Sequence, residues 1–125
     1  MRLVARIPLF LAASLTSTGL VHAQEKFLDG AYGNKDGCAY ANSNEAMGSE
    51  DFFLLTDEAV TSAASYCSFK VPVTKKGDSF AAQVTCAEEG EGGEMETSLQ
   101  IERTGNDYLI VFEDGMRWGP LKRCK

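Results

Sequence analysis

The strongest constraint on this chain is a coincidence of two patterns between Cys67 and Cys86. Cys67, Phe69, Val71 and Val73 alternate with polar or outward residues, and so do Phe80, Ala82, Val84 and Cys86. Alternation on both sides of a Gly-containing turn reads as a hairpin. Folding it about Lys76-Gly77 opposes Val73 to Phe80, Val71 to Ala82, Phe69 to Val84 and Cys67 to Cys86. Opposed residues of an antiparallel pair bring their Cα atoms to about 4.5–5.5 Å, a spacing a disulfide accepts. Hydrophobic pattern and cysteine position thus select the same register. Pro72 donates no hydrogen bond, which predicts a strand edge or an outward position there.

Cys38 and Cys124 are then left to each other, tying the first part of the domain to the last. The spacings of 28, 18 and 37 residues between successive cysteines lack the close pairs of a zinc site. Disulfides in turn imply an oxidising compartment, and the N-terminus agrees. Arg2 and Arg6 precede an apolar run from Ile7 to Leu20, and Val21-His22-Ala23 places small residues where a signal peptidase reads. The run is too short and too interrupted for a membrane span. Residues 1–23 are therefore expected to be a cleavable secretory signal, and residues 24–125 a single β domain, periplasmic or secreted. Cleavage leaves ten Lys and Arg against eighteen Asp and Glu, a net charge of −8, and no histidine.

A second hairpin is legible downstream. Met95, Thr97, Leu99 and Ile101 share one face, Gly105-Asn106 forms a two-residue turn, and the fold opposes Ile101 to Ile110 and Leu99 to Phe112. Asp114-Gly115 offers another turn, but its loop length decides whether Trp118 faces in or out, and that register stays open. Upstream, Phe27 to Tyr32 and Cys38 to Ala41 read as strands around a turn at Gly33–Gly37. Asn42 to Ser49 reads as a polar loop, Asp51 to Thr56 as a strand or buried segment, and Asp57 to Ala64 as a strand or one helical turn. Short strands at this spacing predict an all-β fold, a small antiparallel meander closing into a barrel or sandwich. Phe52, Phe53, Phe69, Phe80 and Phe112 are core candidates. Tyr32, Tyr40, Tyr66 and Trp118 have polar tips suited either to a mouth or to interior hydrogen bonds.

Several chemistries are disfavoured. Without histidine the Ser-His-acid and Cys-His arrangements cannot form, and oxidised cysteines offer no thiolate. Gly30-Ala31-Tyr32-Gly33 and Gly90-Glu91-Gly92-Gly93 lack the setting and the Lys of a phosphate loop. Neither a cofactor nor a metal is expected. The calcium-loop spacing is absent, and the negative charge opposes nucleic-acid binding. A carboxylate-pair hydrolase is the residual enzyme class.

What stands out is the connection after Cys86, in which Glu88, Glu89, Glu91, Glu94 and Glu96 occur without a base. It reads either as a solvated loop of an acidic protein or as a contact surface for a basic partner, with recognition on the loop rather than in a pocket. Arg117, Lys122, Arg123 and Lys125 give the C-terminus the opposite sign.

The layout Gly30-Ala31-Tyr32-Gly33, Cys38, Cys67-Ser68-Phe69, Cys86 and Arg123-Cys124 resembles small exported four-cysteine β proteins of alphaproteobacteria, a group that implies no particular function. Size, export and the disulfide-tied β fold are also similar to periplasmic inhibitors of c-type lysozyme, whose inhibitory motif has no counterpart residues here. The resulting expectation is a non-enzymatic periplasmic binding module, with inhibition of a basic cell-wall-degrading enzyme such as lysozyme as its concrete form. The alternatives are an envelope stress or structural protein without a catalytic partner and, third, the small carboxylate-dependent hydrolase.

Overall fold

The computed structural model describes residues 26–43, 50–90 and 92–125. The expected signal segment lies outside these residues. Eight strands follow in chain order, each antiparallel to the next: β1 (Tyr32–Gly33), β2 (Phe53–Leu55), β3 (Ala59–Ser62), β4 (Ser65–Lys76), β5 (Ser79–Glu88), β6 (Glu94–Thr104), β7 (Asp107–Phe112) and β8 (Arg117–Arg123). β8 returns to β1, so the meander is a closed barrel. Closure removes the unpaired edges that an open sheet would present.

Alternation builds the interior. Val84, Leu99, Ile101 and Ile110 are at most 1% exposed, and Cys67, Phe69, Phe80 and Phe112 complete the same cluster. The β6–β7 hairpin has the register its sequence predicts, with Ile101 opposite Ile110 and Leu99 opposite Phe112. Gly105, at φ +60°, supplies the left-handed turn position. Of the core candidates, Phe53 and Phe52 are only half-buried, Phe53 packing on the core and Phe52 edge-on to Tyr40.

β4 departs from expectation. Cys67 opposes Cys86 and Phe69 opposes Val84, but beyond Lys70 the pairing resumes at Thr74–Ala81. Three residues, Val71-Pro72-Val73, therefore face only Ala82. Pro72 has no N–H to continue the ladder, and β3 pairs only with Tyr66, Cys67 and Ser68, so no second neighbour straightens this stretch. The expected pairs Val73–Phe80 and Val71–Ala82 do not form. Val71 is 55% exposed, and the turn moves to Gly77-Asp78, between the paired residues Lys76 and Ser79.

Two further strand expectations are corrected. Cys38 to Ala41 is not extended; it belongs to a helix, α1 (Lys35–Ser43), which also takes in the first residues of the expected polar loop. Asn34 caps it, its Oδ1 accepting the Gly37 N–H at 2.9 Å. The remainder of the expected loop, residues 44–49, lies outside the described residues. Phe27 to Tyr32 is likewise not a strand apart from Tyr32. The Phe27 and Leu28 N–H groups both donate to Asp57 Oδ1 at 2.9 Å. Phe27 packs on Phe69 and Phe80 with ring centroids 5.6 and 5.0 Å away, and Leu28 is buried. The segment thus caps one barrel end instead of joining the sheet.

The remaining open questions resolve simply. Residues 59–62 are a strand, and Trp118 faces inward, opposite Ile110, at 7% exposure. Leu121 also faces inward, although strict alternation would put 118 and 121 on opposite faces. Between them the β7–β8 register shifts, Gly119-Pro120 passing Leu109 with Gly119 at φ +120°.

The weakest seam is covalently closed. β1 pairs through only two residues on each side, Tyr32 and Gly33 with Leu55 and Leu54, and with Arg123 and Lys122. Cys38, just after β1, is bonded to Cys124, just after β8, with Cα atoms 5.1 Å apart. Cys67–Cys86 forms within the β4–β5 hairpin, Cα to Cα 4.0 Å. Both bridges are those the cysteine arithmetic predicts, and no described cysteine is free.

Candidate functional site

In an up-and-down barrel alternate connections share an end. The β2–β3, β4–β5 and β6–β7 connections lie at the end capped by Phe27 and Leu28. The β3–β4, β5–β6 and β7–β8 connections lie at the other. At that second end the barrel holds a cavity of about 330 Å³. Its floor is formed by inward residues of β4, β5, β7 and β8: the Cys67–Cys86 bridge, Phe112 and Trp118. Trp118 meets Phe112 edge-on at 4.6 Å and Phe53 at a tilt at 5.3 Å between ring centroids, which fixes its plane. Met95, 59% exposed, and Met116, 47% exposed, form the walls.

The rim is acidic. Glu88 and Glu96 come from β5 and β6, and Glu113 and Asp114 from the β7–β8 turn; no residue lining the cavity is basic. Asp114 Oδ1 accepts the Met116 N–H at 2.9 Å, holding the turn in shape. Glu96 also bonds Lys70 across the outer face of β5.

The sequence-predicted acids therefore divide. Glu88 closes β5 opposite Ser65, and the Glu89 N–H donates to the Ala64 carbonyl at 2.8 Å, so the backbone here is an extension of the sheet. Glu94 opens β6 opposite Ala87 and borders a smaller adjoining cavity with Gly92 and Gly93. Glu91 lies outside the described residues. The β5–β6 connection and the cavity lie at the same end of the barrel.

Phe112, Glu113, Asp114, Met116 and Trp118 were not singled out together from sequence. The signal was present nonetheless. In a meander the 88–94 and 113–116 connections are alternate, so two acidic turns had to converge.

The capped end carries a different cluster. Tyr32, 1% exposed, donates its hydroxyl hydrogen to Asp29 Oδ1 at 2.6 Å and accepts from Arg103 Nη1 at 3.5 Å. Arg103 lies over the Tyr108 ring, 4.7 Å from its centroid, while Arg123 holds Asp29 through its carboxylate and its backbone carbonyl. The hydrogen bond from Tyr32 lowers the Asp29 pKa, with Arg123 adding to it. Burial, then the bond to Asp29, raises that of Tyr32. These groups satisfy one another and close the barrel.

Among the described residues no group of three or more His, Cys, Asp or Glu is placed to hold a metal. Nor is any described helix long and apolar enough to cross a membrane. No family model, curated protein or solved structure matches the chain.

Proposed function

We propose that this protein is a non-enzymatic binding module of the periplasm or extracellular space that engages a basic protein at the acidic end of its barrel. The observation that carries the reading is the convergence of Glu88, Glu113 and Asp114 on one apolar mouth, in a chain whose net charge is −6. Such a field raises association rates with a basic protein, and the apolar floor supplies contact once the partner arrives. A basic cell-wall-degrading enzyme such as lysozyme is the concrete partner, in keeping with the likeness to periplasmic lysozyme inhibitors.

The hydrolase reading draws less support. A carboxylate working as general acid is usually raised in pKa by an apolar enclosure, and among the described residues no charged side chain is buried. The test is binding of the purified exported protein to a basic c-type lysozyme at low and high salt, together with an assay of lysozyme activity. Saturable binding whose on-rate falls steeply with ionic strength is expected. Absence of binding to lysozyme and to other basic envelope enzymes at low salt overturns the reading.

A further inference from the structure

The mouth is small and chemically two-sided. At about 330 Å³ the cavity lies at the low end of the range for ligand pockets, about 300–1,000 Å³, and has room for one extended side chain. Its floor presents the edge-stacked pair Phe112–Trp118, and its walls the thioethers of Met95 and Met116. Its rim presents carboxylates from two separate connections.

An anion would be repelled there, and a wholly apolar group would strip water from the rim acids without return. A cation on a long aliphatic stem satisfies both halves. The stem packs on Met and aromatic surface, as the stems of Lys and Arg do elsewhere. The charge meets carboxylates, which attract it.

We propose that this mouth receives a single lysine or arginine side chain presented by the basic protein partner, with the stem against Phe112, Trp118 and Met116 and the charge among Glu88, Glu113 and Asp114. The proposal rests on the binding reading above and adds where and how the partner docks. Glu96 contributes less than its neighbours because Lys70 already compensates it.

Trp118 is the one tryptophan of the chain, so its emission reports on the mouth alone. The exported protein is titrated with tetralysine and with tetralysine acetylated at every Nζ. Expected is a saturable change in Trp118 emission with the first peptide and at least tenfold weaker binding of the second. The double substitution Glu113→Gln, Asp114→Asn should weaken tetralysine binding at least tenfold. Met116→Lys, at an exposed position, should place a resident cation in the mouth and weaken it similarly.

No saturable emission change with tetralysine, or equal responses to both peptides, overturns the proposal. So does lysozyme binding that leaves Trp118 emission and the affinity of Met116→Lys unchanged, a result under which the basic-partner reading survives. Conversely, tetralysine occupying the mouth while no basic protein binds removes the binding-module reading and leaves the site.

Discussion

Tyr32 donates its hydroxyl hydrogen to Asp29 Oδ1 at 2.6 Å, joining the shortest strand of the barrel to the segment that caps its end. The phenol ring is buried against Tyr108, with centroids 4.7 Å apart, so its hydroxyl has one fixed direction in which to donate. Hydrogen bonding to an ionised carboxylate favours the charged form of Asp29, and burial favours the neutral form of Tyr32.

A pH dependence follows with opposite signs at the two limits. Asp29 has a lowered pKa in the folded state, so its contribution is present above the ordinary Asp range and lost as pH falls through the folded value. Tyr32 has a raised pKa, so its contribution is complete below the unfolded value of about 10 and lost as pH rises through the folded one. Thermal melts between pH 2 and 11 should show Asp29→Asn losing part of the acid limb and Tyr32→Phe part of the alkaline limb. Identical pH profiles for wild type and both variants would contradict the assignment.

Gly37 illustrates a substitution whose sign is reversed by packing. In an exposed helix interior Gly→Ala stabilises by about 1 kcal/mol. Here a Cβ on Gly37 would lie 1.8 Å from the Phe53 carbonyl oxygen and 2.7 Å from its carbon, both backbone atoms. The helix cannot retreat freely, because Cys38 is bonded to Cys124 and the Asn34 carbonyl accepts the Cys38 N–H at 2.9 Å. Gly37→Ala should therefore destabilise by about 1–3 kcal/mol, the usual cost of overpacking. Urea unfolding measures it, and an unchanged midpoint would show that α1 does not pack as described.

β5, β6 and β7 were legible because inward residues alternate without a break and Gly105-Asn106 sets the register. Cys67–Cys86 followed from the same periodicity. The irregular elements were not legible in the same way. The bulge at Val71-Pro72-Val73 was signalled by Pro72, but its two-residue size depends on where β3 stops. The helix at Lys35–Ser43 hides behind Gly37 in its first turn, so that Gly33–Gly37 read as a turn between strands. The bonds from Phe27 and Leu28 to Asp57 span about thirty residues and follow no local pattern. The face of Trp118 waited on the length of the 113–115 turn, and the inward place of Leu121 on the shift at Gly119-Pro120.

The two disulfides should differ in weight. Cys67–Cys86 closes a separation of 19 residues and Cys38–Cys124 one of 86. In the chain-entropy model these correspond to about 3 and about 4.5 kcal/mol. The longer bridge also spans the seam where β1 supplies only two residues to each neighbour. Replacing Cys38 and Cys124 together with Ser should lower the urea midpoint more than replacing Cys67 and Cys86. Amide exchange in the Cys38/Cys124 variant should rise first at Tyr32, Leu54 and Arg123. The reverse order of stability would indicate that the buried hairpin bridge, rather than the seam, limits unfolding.

The acids of the β5–β6 connection should be separable into one with a local partner and several without a stabilising role. Lys70 and Glu96 are 45% and 68% exposed at their side chains, so their pair contributes at most about 1 kcal/mol. A double-mutant cycle on these two should return a coupling in that range, decreasing with salt. Around Glu88, Glu89 and Glu94 the anchoring is done by the backbone: Ser65 pairs with Glu88, Ala64 accepts from the Glu89 N–H, and Ala87 pairs with Glu94. Replacing Glu88, Glu89, Glu91 and Glu94 with Gln removes mutual repulsion and leaves those bonds intact. Stability should then stay within about 0.5 kcal/mol of wild type. Association with a basic lysozyme should slow, and its dependence on ionic strength should flatten, because steering scales with the charge that was removed. A variant that melts like wild type and associates just as fast would show that these four glutamates only solvate the connection. Recognition would then rest on Glu113 and Asp114 across the mouth.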